Sequence, residues 1–194
     1  MFLLRMESLE EISISTNIEA NLREAFGRVA WSHKTHEKQA DIYHDKYKFL
    51  LWVKIILAGS TSAGGIFSVF SECIWARVAT AAIATIIFII DLIFSNCDYA
   101  NLRDLHQKTA TKLWEIREYY VALLCEIHTS SPDLAMIRKL HLEYIELLSK
   151  IYENAPRTSS EAYNMATKAL HDEELTFTND EIDKLLPYSL RLKK

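Results

Sequence analysis

Three polar side chains stand close enough in the sequence to act together: His33, His36 and Glu37. On a helix His33 and His36 share a face, and two imidazoles with a neighbouring carboxylate are donors a divalent metal accepts. Their order, however, is H-x-x-H-E. It is neither H-E-x-x-H nor H-x-x-E-H, so the general-base geometry of zinc peptidases does not carry over. No metal and no cofactor is therefore expected. The favoured reading has the histidines hydrogen-bonding across a helix pair, near His106, and a gating or ligand role is the alternative. Histidine titrates near neutrality, so a pH response is open but not demanded. The chain has no phosphate-cradling glycine loop, nucleophile elbow or paired-carboxylate signature, so no enzyme is expected.

A second group is Lys54 and Asp91, charges inside otherwise apolar sequence and nearly equidistant from Glu72. A charge deep in a bilayer costs about 2.5–3.5 kcal/mol on insertion scales, which pairing and snorkelling reduce. The two readings are a salt bridge and a charged ring at the inner mouth of a pore. The same spacing about Glu72 pairs Ser60 with Ala84, Gly64 with Thr80 and Ser68 with Ala76, small residues four apart that let helix backbones approach. Packing within one hairpin is favoured, with packing between copies and pore lining as alternatives. Thr61, Ser62 and Thr85 are further polar candidates for a wet lumen. The pore or gate set is Lys54, Ser60, Thr61, Ser62, Gly64, Gly65 and Asp91, mostly on the first apolar stretch.

The elements that must hold these residues are two apolar stretches, Phe49–Ser71 and Ile74–Ser95, almost back to back around Glu72-Cys73. At about 1.5 Å per residue each reaches roughly 30 Å, the thickness of a bilayer's hydrocarbon core. So short a connection requires an antiparallel hairpin with both termini on one side. Lys34, Lys38, Lys46 and Lys48 precede the first span and Arg103, Lys108 and Lys112 follow the second, which places both termini in the cytoplasm. Met1-Phe2-Leu3-Leu4 is too short for the apolar region of a cleavable signal, so the hairpin is expected to direct its own insertion. Trp52 and Trp75 suit interfacial anchoring.

The remainder is polar and helix-forming. Charged residues make up 25% of the chain, and the 4 glycines and 3 prolines leave almost no turn chemistry for a sheet, so the fold class is all-α. A net charge of −4 gives no general attraction for nucleic acid, and no duplex binding is expected. Cys73, Cys97 and Cys125 form neither a disulfide frame nor a zinc motif. The spacing predicts a helix from Asn17, as N-cap, whose seam of Leu22, Phe26, Val29, His33, His36, Ala40, Tyr43, Tyr47 and Leu50 runs directly into the first span. The second span is expected to continue unbroken through His106, Thr109, Leu113, Ile116 and Tyr120 to Ile127. Ser131, with Pro132 at the first helical position, should open a third helix that Ala155-Pro156 ends. Thr158 with Glu161, and Thr178 with Glu181, read as caps of short helices. The layout is then an N-terminal tail (1–16), a cytoplasmic helix (17–48), the hairpin (49–95), cytoplasmic helices (96–172) and a C-terminal tail with a short helix (173–194).

The run from Arg28 to Asp41, including Trp31, His33, His36 and Glu37, enters a two-span hairpin. A long helix, Glu153-Asn154-Ala155-Pro156 and Tyr163 follow. Together these resemble the SLATT domain over roughly residues 17–170. The resemblance implies a two-span membrane effector of prokaryotic conflict systems, found beside nucleotide-signal synthases and assembling as a homo-oligomeric channel that stops the growth of an infected cell. It implies other copies of the chain as partners and a nucleotide or oligonucleotide cue bound among the cytoplasmic helices; membrane lipid is the partner the spans themselves require, and four copies is the expectation drawn from small hairpin channels. The regulatory candidates are Arg28, Trp31, His33, Lys34, His36 and Glu37. The competing class is a non-conducting scaffold or sensor, anchored in the membrane and recruiting a cytoplasmic partner through the helices after Pro132.

Overall fold

A computed structural model describes residues 2–70, 74–172, 178 and 182, for 2–14 and 67–70 in backbone only. Every element in it is helical: α1 (Phe2–Phe70), α2 (Ile74–Asn96), α3 (Tyr99–Ile127), α4 (Leu134–Glu153) and α5 (Ser160–His171). The described residues include two helices long and apolar enough to cross a membrane. The reversal at Glu72-Cys73 lies outside the described residues.

At 69 residues, α1 extends about 100 Å. It serves the membrane with its second half and the polar bundle with its first. Nothing in its sequence favours a break, since Gly27 is exposed and an added Cβ there would meet nothing. The helix begins at Phe2, so Asn17 lies within it and caps nothing.

α1 runs antiparallel to α2 and α3 in a constant register. Gly64 meets Thr80, Lys54 pairs with Asp91, the Tyr47 ring packs edge-on against Phe94, Tyr43 stacks on Tyr99, and His36 bonds His106. Each step down one helix is matched by a step up the other, as two antiparallel helices with continuous seams require. Gly64 is a point of close approach: a Cβ there would lie 2.8 Å from Thr80 Oγ1, whose hydroxyl is already bonded to the Ala76 carbonyl.

The second span does not continue unbroken. α2 ends at Asn96, whose side chain donates back to the Leu92 carbonyl, and Asp98 starts α3 by accepting the Asn101 N–H at 3.0 Å. Short polar side chains here compete for the backbone and reset the helix without losing register. The later caps also differ from expectation. Asp133, not Ser131, caps α4 by accepting the Met136 N–H, and Pro132 precedes the cap. An ionised carboxylate both accepts the hydrogen bond and meets the positive end of the helix dipole. Ser159, in extended backbone, caps α5 in place of Thr158. Ile182 N–H donates to the Thr178 carbonyl at 3.0 Å, the bond of a helical turn, while Glu181 and Pro187 lie outside the described residues.

The apolar core lies far from the spans. Leu22, Val29, Leu113, Tyr120 and Ile137 are fully buried there, and α4 adds Leu140, Tyr144, Leu148 and Ile151. Nearer the membrane the seam turns polar, with His33, Lys34, Thr35, His36, Gln39, His106 and Thr109 all buried. α5 seats on α1 through three alanines, Ala162, Ala166 and Ala169. Cys97 and Cys125 are free thiols, and Cys73 lies outside the described residues.

Candidate functional site

Within the spans, the seam of α1 carries Lys54, Leu57, Thr61 and Gly64, all half-buried, against Thr80, Ile83, Ile87 and Ile90 of α2. Lys54 Nζ and Asp91 Oδ1 form an ion pair, with 39% and 46% of the two side chains still exposed. Pairing offsets part of the cost of two charges at this depth, and the residual exposure leaves them at the surface of the hairpin. Gly64 packs on Thr80 as its spacing implied. Ser60 and Ala84, by contrast, are both exposed and do not pack inside the hairpin, because the seam falls one position later, on Thr61. Ser68 is outside the described side chains. Ser60, Thr61 and Ser62 donate their hydroxyl protons to the carbonyls of Ile56, Leu57 and Ala58, which satisfies them in an apolar setting and leaves oxygen lone pairs outward. Gly65 is half-buried, with open space where a Cβ would be.

The polar stretch of the bundle is organised by the histidines. His36 Nδ1 and His106 Nδ1 lie 2.9 Å apart with ring centroids at 5.0 Å, and Tyr43 packs on His106 at 5.6 Å. One ring donates and the other accepts, which requires the accepting imidazole to be neutral with its Nδ1 lone pair free. Burial, with His106 and His33 adding to it, holds His36 down to about 4. Burial also lowers His106 and His33, the latter against the opposing carboxylate of Glu37. Glu37 bridges His33 Nε2 at 3.5 Å and Lys34 Nζ at 3.2 Å. His106 Nε2 and His33 Nδ1 are buried without a partner among the described residues. Those residues also contain no group of three or more metal-ligating side chains.

Two concavities flank this seam. The larger, about 700 Å³, is a groove between α1 and α3 lined by His33, Glu37, Asp41, Arg103, Trp114 and Arg117 among others. Its arginines already hold neighbouring carboxylates, Asp104 at 2.7 Å and Glu118 at 2.7 Å. The smaller, about 460 Å³, lies between α1 and the turn joining α4 to α5, with Trp31, His36, Tyr152, Arg157 and Tyr163 in its walls. Two hydrogen bonds hold that turn on α1: Tyr152 Oη donates to Ser32 Oγ at 3.0 Å, and Ser159 N–H donates to Gln39 Oε1 at 2.7 Å. The Trp31 and Tyr163 rings lie 5.9 Å apart, tilted by 33°.

The six regulatory candidates therefore divide. Trp31 and His36 wall the smaller cleft, and His33 and Glu37 wall the larger groove. Lys34 is buried against Glu37, and Arg28 is exposed, paired with Glu24, and lines neither. Sequence reasoning missed Arg157 and Tyr152. The bonds that bring their turn onto α1, Tyr152 to Ser32 and Ser159 to Gln39, span 120 positions, and only the proximity of Arg157 to the Ala155-Pro156 turn hinted at it.

The fold and these features define a two-span membrane hairpin whose spans pass into a polar-collared helical bundle. The chain belongs to the SMODS and SLOG-associating 2TM effector domain family 4, whose model matches residues 18–181. It is thus a membrane effector domain of conflict systems. No curated protein and no solved structure matches it. The segments that carried the resemblance, Arg28–Asp41 and Glu153–Pro156 with Tyr163, meet in space around the smaller cleft.

Proposed function

We propose that this protein is the pore-forming effector of a bacterial anti-phage defence system. Copies of the hairpin assemble in the inner membrane with their termini cytoplasmic. They enclose an ion path that a nucleotide or oligonucleotide, made by a partner synthase, opens through the cytoplasmic helices, and the open state arrests growth. Its role is not enzymatic.

The observation that carries this reading is a belt of small and polar residues on the outer surface of the hairpin. Around mid-span α1 turns Ala58, Gly59, Ser60, Ser62 and Ala63 outward and α2 turns Ala79, Ala81, Ala82, Ala84 and Thr85 outward, whereas Ile55 and Ile56 of α1 and Ile86, Phe88 and Ile89 of α2 are exposed towards the Lys54–Asp91 end. Bulky aliphatic side chains suit lipid. A face of serines, glycine and alanines suits close helix contact between copies or a water-filled path. Lys54 and Asp91, still partly exposed, would then sit at the mouth of that path.

The test is ion flux through liposomes holding the purified full chain, comparing wild type with Lys54→Glu, Asp91→Lys and the charge-swapped double variant. We expect the two single variants to shift cation-to-anion selectivity in opposite directions and the double variant to return towards wild type. Silence from every folded variant, with and without nucleotides, would hand the function to the competing class, a membrane-anchored scaffold. The exposed Leu142 and Ile145 of α4, three residues apart on one face, favour that second reading, since they offer a partner an apolar contact.

A further inference from the structure

We propose that the cleft between Trp31 and the α4–α5 turn binds a planar aromatic ring carrying a phosphate, as in a nucleotide. This rests on the reading of a soluble cue given above and assigns the cue a place.

The argument begins with charge. Of the two concavities beside the histidine seam, the larger presents Glu37 and Asp41 opposite Arg103 and Arg117, and each arginine is already engaged by its own carboxylate. An anion entering that groove would meet as much negative as positive charge. The smaller cleft is the reverse. Among the described residues its one charged wall residue is Arg157, which has no ion-pair partner, and no carboxylate lines it. A guanidinium without a carboxylate is free to make the paired N–H bonds that phosphate oxygens accept.

The remaining walls suit the other half of such a ligand. Trp31, Tyr152 and Tyr163 supply aromatic faces, and Tyr163 is 52% exposed, so its ring is available for stacking. Hydroxyls of Ser32, Thr35 and Thr158 surround them, and among the described residues those of Ser32 and Thr158 donate to no acceptor. The volume, about 460 Å³, falls within the roughly 300–1,000 Å³ of small-molecule sites. His36 is a wall of the cleft and also the partner of His106. An occupant would thus touch the seam that continues into the spans, which gives binding a route to the hairpin.

Equilibrium binding to the full chain in detergent tests the site, with AMP, GMP and the dinucleotide ApA as probes and adenosine and inorganic phosphate as half-ligands. We expect at least one nucleotide to bind at least about tenfold more tightly than either half. Arg157→Glu and Tyr163→Ala, both at exposed positions, should each weaken it by about tenfold or more. Arg103→Glu and Arg117→Glu should leave it unchanged. No binding of any nucleotide to the wild type would overturn the proposal, as would loss of binding in the Arg103 and Arg117 variants with retention in the other two. Binding that maps to the cleft but leaves liposome flux unaltered would uphold the site and sink the gating reading. A flux response that survives both cleft substitutions would uphold gating and overturn the site.

Discussion

The α1–α3 pair is built in two ways along one seam. Far from the membrane it is closed by Leu22, Val29, Leu113 and Tyr120. Next to the membrane the same spacing carries His33, His36, His106 and Thr109, equally buried but polar. Burying aliphatic side chains stabilises the first region whatever the conditions, at about 25 cal/mol per Å² removed from water. The second depends on particular hydrogen bonds, and a buried polar group that loses its partner costs more than the bond contributed. The apolar region can therefore act as a fixed clamp, while the polar collar holds one arrangement only while its bonds and protonation states persist.

The largest expected effect breaks the clamp. Leu113→Ala should cost about 2–5 kcal/mol of stability in denaturant unfolding of the detergent-solubilised chain. Next comes acid, which should weaken the collar first, since it holds three buried histidines whereas the clamp is faced by one, His141 beside Tyr120, also lowered by burial. Burial lowers His36 from 6.5 to about 4, so between those values the unfolded chain takes up a proton that the folded chain refuses. Stability is then complete above pH 6.5 and falls as pH drops towards 4, by on the order of 3 kcal/mol from this group. Hydrogen exchange should show amides around His36 and His106 opening before those around Leu113. His36→Asn should flatten the profile. The smallest effect sharpens the comparison: His106→Leu leaves the His36 Nδ1 unpartnered and should cost about 1–3 kcal/mol. The double variant His36→Leu/His106→Leu should recover most of that and lose the acid sensitivity of the pair. If the double variant were as damaged as Leu113→Ala, the collar would be a second clamp and the contrast would fail.

Much of this architecture was readable in the chain. The spans, the antiparallel register and the heptad seams follow from hydrophobic period and from spacing about a single reversal, and the bond between His36 and His106 lies where those seams place it. Ser60 was misplaced because small residues four apart fit two neighbouring helix faces equally well. Only the burial of Thr61 distinguishes them. The caps at Asp133 and Ser159 were each missed within two residues, since runs of Ser, Thr and Asp offer several acceptors and local backbone geometry selects one.

The amino-acid sequence by itself determined that the chain is a helical membrane hairpin and which helices must pair, because a hydrophobic period is a property of consecutive residues. Only the tertiary structure decided which side chains share a cavity. Tyr152 and Ser159 reach Ser32 and Gln39, and Arg157 comes to the same cleft, through the docking of α4 and α5 on α1, and contacts that span 120 positions leave no periodic trace.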